Sequence, residues 1–149
     1  AQNYGAGKRD RIRRGMRDAV LGAFVFCFVI SVLVVGFARP LMSLFLDESS
    51  AEAVVVGVGY LRIEASFYFG IGLLFLFYGY FRAVNKPGVS VVLTVVSLGM
   101  RVLLAYTLSA VEGIGVTGIW MSVPIGWFLA DAAGVVFYVK NRRAADRGV

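Results

Sequence analysis

Four ionisable residues, Arg62, Glu64, Arg101 and Asp131, interrupt stretches of sequence that are otherwise apolar. An ionisable group at the centre of a lipid-embedded helix costs about 2.5–3.5 kcal/mol on insertion scales, and it faces protein or water rather than lipid. Such groups can pair to fix helix register, exchange a proton, or contact a charged solute. Glu64 lies about 16 Å from the start of its apolar run, and Arg101 about 14 Å from the end of its own, at the helical rise of about 1.5 Å per residue. The two share a depth, so an ion pair between them is expected, with Arg62 as competitor. Asp131 is deeper, about 20 Å from the same side by that rise. It is the best local candidate for a titratable role.

The spacing around these charges describes faces. Ser90, Thr94, Ser97 and Arg101 form a polar stripe on one helical side. Tyr60, Glu64, Phe67, Ile71, Phe75, Tyr78 and Arg82 follow the same periodicity, as do Trp120, Pro124, Trp127 and Asp131. Mixed aromatic and polar faces suit a cavity for bulky, greasy, often cationic solutes, because aromatic faces attract cations and apolar walls accept varied shapes. The residues expected to line it are Glu64, Phe67, Tyr68, Ile71, Tyr78, Ser97, Arg101, Trp127 and Asp131. Trp120, near the outer boundary, reads as an interface anchor. Gly118, Ser122, Gly126, Ala130 and Gly134 recur every four residues, a face that lets helix backbones approach closely.

Other chemistries are excluded. There is no His, and the single Cys27 sits in an apolar run. Histidine-based catalysis, Cys/His metal sites and a disulfide within the chain are therefore ruled out. Gly5-Ala6-Gly7-Lys8 lacks the first glycine of a phosphate loop at the required distance and the Ser/Thr after Lys. No enzyme is read here. The 149 residues are 59% hydrophobic and 16% charged, with mean hydropathy +0.79. Soluble domains are about 45–50% apolar and about 25% charged, so neither a soluble enzyme nor a disordered chain fits.

The elements that must position these residues are membrane helices. A spanning helix needs about 20 mainly apolar residues, and four runs qualify. The chain is expected to be an all-α polytopic membrane protein with helices at about 18–38, 53–82, 88–110 and 117–140. The runs are continuous rather than alternating, which disfavours a β-barrel. Breakers fall between them: Pro40, the Asp47-Glu48-Ser49-Ser50 turn with its N-cap candidates, Asn85-Lys86-Pro87-Gly88, and Gly113, Gly115 and Gly118. Pro124 lies inside the fourth run, where a kink is expected. Ile12 and Met16 predict a short amphipathic helix at the interface before the first span.

Charge gives the orientation. Lys8, Arg9, Arg11, Arg13, Arg14 and Arg17, then Arg82 and Lys86, then Lys140, Arg142, Arg143 and Arg147 fall on one side. Arg39 stands on the other with Asp47, Glu48, Glu52 and Glu112. This is the positive-inside pattern, so both termini are expected in the cytoplasm and the protein in the plasma membrane. The basic block adjoins a span, where orientation and attraction to anionic membrane lipid account for it. No nucleic-acid partner is expected.

The ordered set of local motifs resembles the multidrug and toxic compound extrusion (MATE) family. Ala1-Gln2-Asn3-Tyr4-Gly5-Ala6-Gly7-Lys8 and the following arginines resemble the loop after that family's eighth helix. Arg39-Pro40-Leu41 with Leu44-Phe45 resembles the outer end of its ninth. Tyr60-Leu61-Arg62-Ile63 and Tyr78-Gly79-Tyr80-Phe81-Arg82 resemble its tenth, and Ser97-Leu98 with Arg101 and Ala105-Tyr106 its eleventh. Gly118-Ile119-Trp120 and Pro124-Ile125-Gly126-Trp127 resemble its twelfth. The resemblance implies a two-lobe, twelve-helix antiporter that exports drug-like or toxic solutes by alternating access, driven by sodium ions or protons. Residues 1–149 would be a C-terminal fragment, the last four helices, and would pack against the missing N-terminal lobe. Some branches carry a coupling carboxylate in the middle of the tenth helix. Here that region reads Phe69-Gly70-Ile71-Gly72-Leu73, which implies that the ion-coupling site lies in the N-terminal lobe and that no cofactor binds here. A lipid-linked oligosaccharide flippase, with Arg62 and Arg101 facing a broader cationic cavity, and a non-transporting membrane scaffold are the alternatives.

Overall fold

The computed structural model describes residues 1–46 and 51–146. The expected turn at Asp47-Glu48-Ser49-Ser50 and the tail cation Arg147 lie outside them. The described elements are helices: α1 (Gln2–Gly5), α2 (Arg9–Gly36), α3 (Ala38–Ser43), α4 (Ala51–Ser66), α5 (Tyr68–Ala83), α6 (Pro87–Ser109) and α7 (Val116–Asp146). In a bilayer this is the expected economy, because a helix satisfies its backbone hydrogen bonds internally where no water can. The chain is a multi-pass membrane protein. Helices α2, α6 and α7 are each long and apolar enough to cross a membrane, and α4 with α5, taken together as one bent span, meets the same test.

The basic segment does not form a helix of its own. No proline interrupts residues 9–36, so Ile12 and Met16 belong to the first two turns of α2, which continues into the span. Its 28 residues extend about 42 Å, longer than the hydrocarbon core. None of its residues is buried, and Leu21, Phe26 and Phe28 are each more than 60% exposed. An apolar surface this continuous is that of a helix facing lipid or other helices rather than water.

The second crossing departs from the single helix expected at 53–82. It breaks at Phe67, where α4 and α5 meet at 50°. No proline causes this. The Ser66 hydroxyl donates to the Arg62 carbonyl at 2.7 Å, a back-bond that bends helices. The Phe67 and Gly70 amides then bond three residues back, to Glu64 and Phe67, rather than four. Packing holds the bend. A Cβ on Gly70 would lie 3.4 Å from the Trp127 Cβ, and one on Gly72 would lie 2.7 Å from Cys27 Sγ. Glycine at these positions lets α5 lie close against α7 on one side and α2 on the other.

Turn chemistry sets the remaining boundaries. Asn85 adopts φ 59°, a left-handed conformation that Asn tolerates, and Pro87 opens α6 at a position where its missing N–H is harmless. Gly113 and Gly115 have φ of 85° and 50° and turn the chain between α6 and α7. Gly118, expected in that turn, instead lies buried in the first turn of α7. Its Cβ would meet the Leu108 backbone at 2.8 Å, so it permits the close crossing of α6 and α7. Helix α7 runs through Pro124 as one element.

The core is small and lies among α5, α6 and α7: Leu74, Phe77, Phe81, Val84, Leu93, Trp127 and Ala130. Two contacts fix the direction of the bent crossing. Tyr60 of α4 stacks edge-on against Trp120 at the start of α7, 6.0 Å between ring centres. Tyr80 of α5 meets Tyr138 near the end of α7 at 4.9 Å. The α4–α5 pair therefore runs the length of the bundle, and the beginning of α2, the 84–86 turn and the end of α7 meet at one end.

Candidate functional site

The bend places Glu64 in the last turn of α4, one residue from Ala65, which is fully buried. Glu64 is 5% exposed, and its Oε1 has no hydrogen-bond partner. Arg101, in the middle of α6, also has a buried Nε with none. The two side chains interact electrostatically, and Tyr60 interacts with both. Yet among the described residues no ion pair joins Glu64 to Arg101, contrary to expectation. The guanidinium is instead turned over the Trp127 ring, 5.9 Å from its centre. Arg62 does not compete for Glu64, because it is exposed two residues away on another face of α4.

Asp131 follows Trp127 by one helical turn. It is 5% exposed, and neither of its carboxylate oxygens has a partner. Burying a charged carboxylate without hydrogen bonds is strongly unfavourable.

The other expected cavity residues occupy varied places. Phe67, at the break, packs edge-on against Phe128 at 6.0 Å. Tyr68 and Ile71 lie half-buried against the core cluster. The Tyr78 hydroxyl is 3.1 Å from Thr94 Oγ1, and its carbonyl accepts from Ser90 Oγ at 3.5 Å. Ser97 is buried, and its carbonyl oxygen would lie 2.7 Å from a Cβ on Gly126. The polar stripe of α6 thus faces α5 at one end and α7 further along. All five small residues, Gly118, Ser122, Gly126, Ala130 and Gly134, are buried. A Cβ on Gly134 would be 2.6 Å from the Phe77 ring, so the small-residue face of α7 accommodates α6 over most of its length and Phe77 of α5 beyond.

None of these residues lines any of three open clefts among the described residues. One, of about 490 Å³, is an apolar cleft between α2 and the α4–α5 bend, walled by Phe24, Phe28 and Phe69. A second, of about 420 Å³, opens at the basic end between the start of α2, the 84–86 turn and the end of α7. A third, of about 250 Å³, adjoins it. Tyr80, Tyr138 and Asn141 wall the second cavity; sequence reasoning named Tyr80 only within a family motif, and Tyr138 and Asn141 not at all. Their signal is dispersed: single tyrosines and one asparagine near helix ends, far apart along the chain.

The MatE family model matches residues 1–107, from α1 nearly to the end of α6. The chain belongs to the MatE family. Its members are membrane efflux transporters rather than enzymes. No curated protein and no solved structure matches the chain. The matched part of this MatE chain carries Glu64 and Arg101, while Trp127 and Asp131 stand on α7, beyond it.

Proposed function

We propose that this MatE chain supplies four helices of the C-terminal lobe of a twelve-helix exporter. It expels bulky, often cationic organic solutes in exchange for protons or sodium ions, by alternating access. The observation that carries this reading is the pair of nearly fully buried carboxylates, Asp131 with neither oxygen hydrogen-bonded and Glu64 with one oxygen left without a hydrogen-bond partner. A buried acid held by no fixed partner is free to take up a proton or face a cation, and each choice favours a different packing of the helices around it. Glu64 also stands at a helix break, the kind of position where transporters build their sites.

In this reading the principal coupling residues belong to the N-terminal lobe, against which this lobe packs. Glu64, Arg101, Trp127 and Asp131 form the charged part of the solute path on this side, and the aromatic side chains Phe67, Tyr68 and Tyr78 with Ile71 and Ser97 flank it. Protonation of Asp131 lowers affinity for a cationic solute and releases it. The protein sits in the plasma membrane with its basic end in the cytoplasm, as the distribution of Lys and Arg favours.

The test is dye export by cells carrying the complete transporter with Asp131→Asn or Glu64→Gln. Slowed export with an altered pH profile is expected. Wild-type rate and pH profile in both variants would overturn the reading.

A further inference from the structure

We propose that the apolar cleft between α2 and the bent α4–α5 pair holds one acyl chain of an anionic phospholipid, with its phosphate at Arg62. The cleft, of about 490 Å³, is walled by Phe24, Phe28 and Val32 of α2 and by Ser66 and Phe69 beside the bend. Its α2 wall runs from Phe24 to Gly36, about 18 Å at the helical rise. That is close to half of a hydrocarbon core about 30 Å thick, the depth of one leaflet. The cleft is also slender: its volume spread over that length leaves a section of about 27 Å². A helix with its side chains is about 10–12 Å across, several times that section, whereas a hydrocarbon tail is one methylene wide. The shape therefore selects a tail over another helix. Phe28 and Val32, exposed in the chain itself, are apolar surface that a tail would cover.

The depth of Arg62 follows from two antiparallel contacts. Gly72 lies against Cys27, and Gly57 against Met42. Fifteen residues separate the two contacts along each segment. Arg62, ten residues before Gly72, thus stands level with Phe37, ten after Cys27. Phe37 directly follows Gly36, so Arg62 stands at the mouth of the cleft, at the end opposite the basic cluster. Ser66, which lines the cleft, is one turn from Arg62 on the same face of α4. Helical side chains lean toward the N-terminus, which for α4 is away from the middle of the bilayer.

Arg62 is exposed, and among the described residues no ion pair includes it. Glu64, the acid nearest in sequence, is buried and has Arg101 as its electrostatic neighbour. Arg39, also exposed, stands three residues past Gly36 and adds charge of the same sign. A cation at this depth is costly against lipid tails alone, and a phosphate offers it short, charge-assisted bonds. The inference rests on the membrane-spanning fold and not on the transport reading.

The test places the complete protein in phosphatidylcholine nanodiscs containing phosphatidylglycerol with a photoactivatable diazirine in its acyl chain. Labelled residues are mapped by peptide mass spectrometry, and labels are expected at Val35 and Phe69. Val32→Trp fills the cleft, whereas Leu33→Trp sets the same ring on a neighbouring exposed position that does not line it. The first is expected to cut cleft labelling about tenfold or more through overpacking, and the second to leave it unchanged. Arg62→Gln is expected to cut it about fivefold, the weight of one cation against anionic lipid, with recovery in Arg62→Lys. A phosphatidylcholine probe with the same diazirine is expected to label the cleft weakly in all of them. Unlabelled cleft walls in the wild type, the result of another helix filling the cleft, would overturn the proposal. So would equal losses in the two Trp variants, or equal labelling by both probes that Arg62→Gln leaves unchanged. All three substituted residues are exposed, so the variants are expected to fold, and equal thermal midpoints check this.

Discussion

The Arg101 guanidinium stands over the Trp127 ring, 5.9 Å from its centre. This contact explains why Glu64 keeps an unpartnered oxygen although Arg101 is its electrostatic neighbour. A cation over an indole face is worth about 0.5–2 kcal/mol, more when desolvated, so the ring competes with the carboxylate for the same guanidinium. A cationic solute arriving at Trp127 would displace Arg101 toward Glu64. Within the proposed transport cycle, the ring and the carboxylate are two seats for one positive charge.

Replacing the ring should therefore weaken recognition of cations. Trp127→Leu is expected to lower the affinity for a cationic dye about 2- to 30-fold, the range that about 0.5–2 kcal/mol corresponds to, and to spare a neutral dye of similar size. Equilibrium dye binding measured by fluorescence polarisation checks both arms. Equal losses for the two dyes would mean that Trp127 only packs.

Glu64 and Arg101 should be energetically coupled despite lacking a direct bond. Glu64→Gln, Arg101→Gln and the double variant form a thermodynamic cycle. Neighbouring charged residues show interaction energies of about 0.5–3 kcal/mol, and the same order is expected here from thermal unfolding in detergent. Additive effects would place the two charges in separate environments.

The crossing of α6 and α7 should be intolerant of side-chain volume at one glycine and indifferent at another. A Cβ on Gly126 would sit 2.7 Å from the Ser97 carbonyl oxygen, whereas one on Gly99 would meet nothing within 4 Å. Gly126→Val is expected to cost about 1–3 kcal/mol through overpacking. Gly99→Ala should be neutral or stabilising, by up to about 1 kcal/mol. The thermal midpoint separates them, and equal shifts would contradict the packing described.

Asp131→Asn should leave the protein at least as stable as the wild type, because it removes a charge that has no partner in the fold. In the proposed mechanism a proton on Asp131 removes a negative charge, so wild-type affinity for a cationic dye falls as pH falls. Asp131→Asn imitates the protonated state and should bind the dye weakly at every pH. A pH titration of dye binding checks this. An unchanged slope, or a large loss of thermal stability, would make Asp131 structural.

Much of this arrangement was legible in the sequence, for physical reasons that can be named. A run of some twenty apolar residues has few fates other than a membrane helix, so α2, α6 and α7 could be read directly. The stripe from Gly118 to Gly134 was legible because close helix crossing requires small side chains at a spacing of four. The bend at Phe67 was hidden, since it arises without proline from one serine hydroxyl and two glycines packed against other helices. The choice of Arg101 between Glu64 and Trp127 was equally hidden: depth along a span follows from rise per residue, but the direction of a long side chain depends on neighbours from other helices. The basic-end cavity needed the fold as well, because Arg9, Lys86 and Arg142 are brought together only when the ends of three helices meet.

The most direct measurement is transport by the complete protein reconstituted into proteoliposomes, with a proton or sodium gradient imposed and a fluorescent cationic dye followed across the membrane. The account predicts dye movement opposite to the ion gradient, absent without a gradient and slowed in Glu64→Gln and Asp131→Asn. Dye distribution unaffected by either gradient, in protein shown to be folded and inserted, would contradict it.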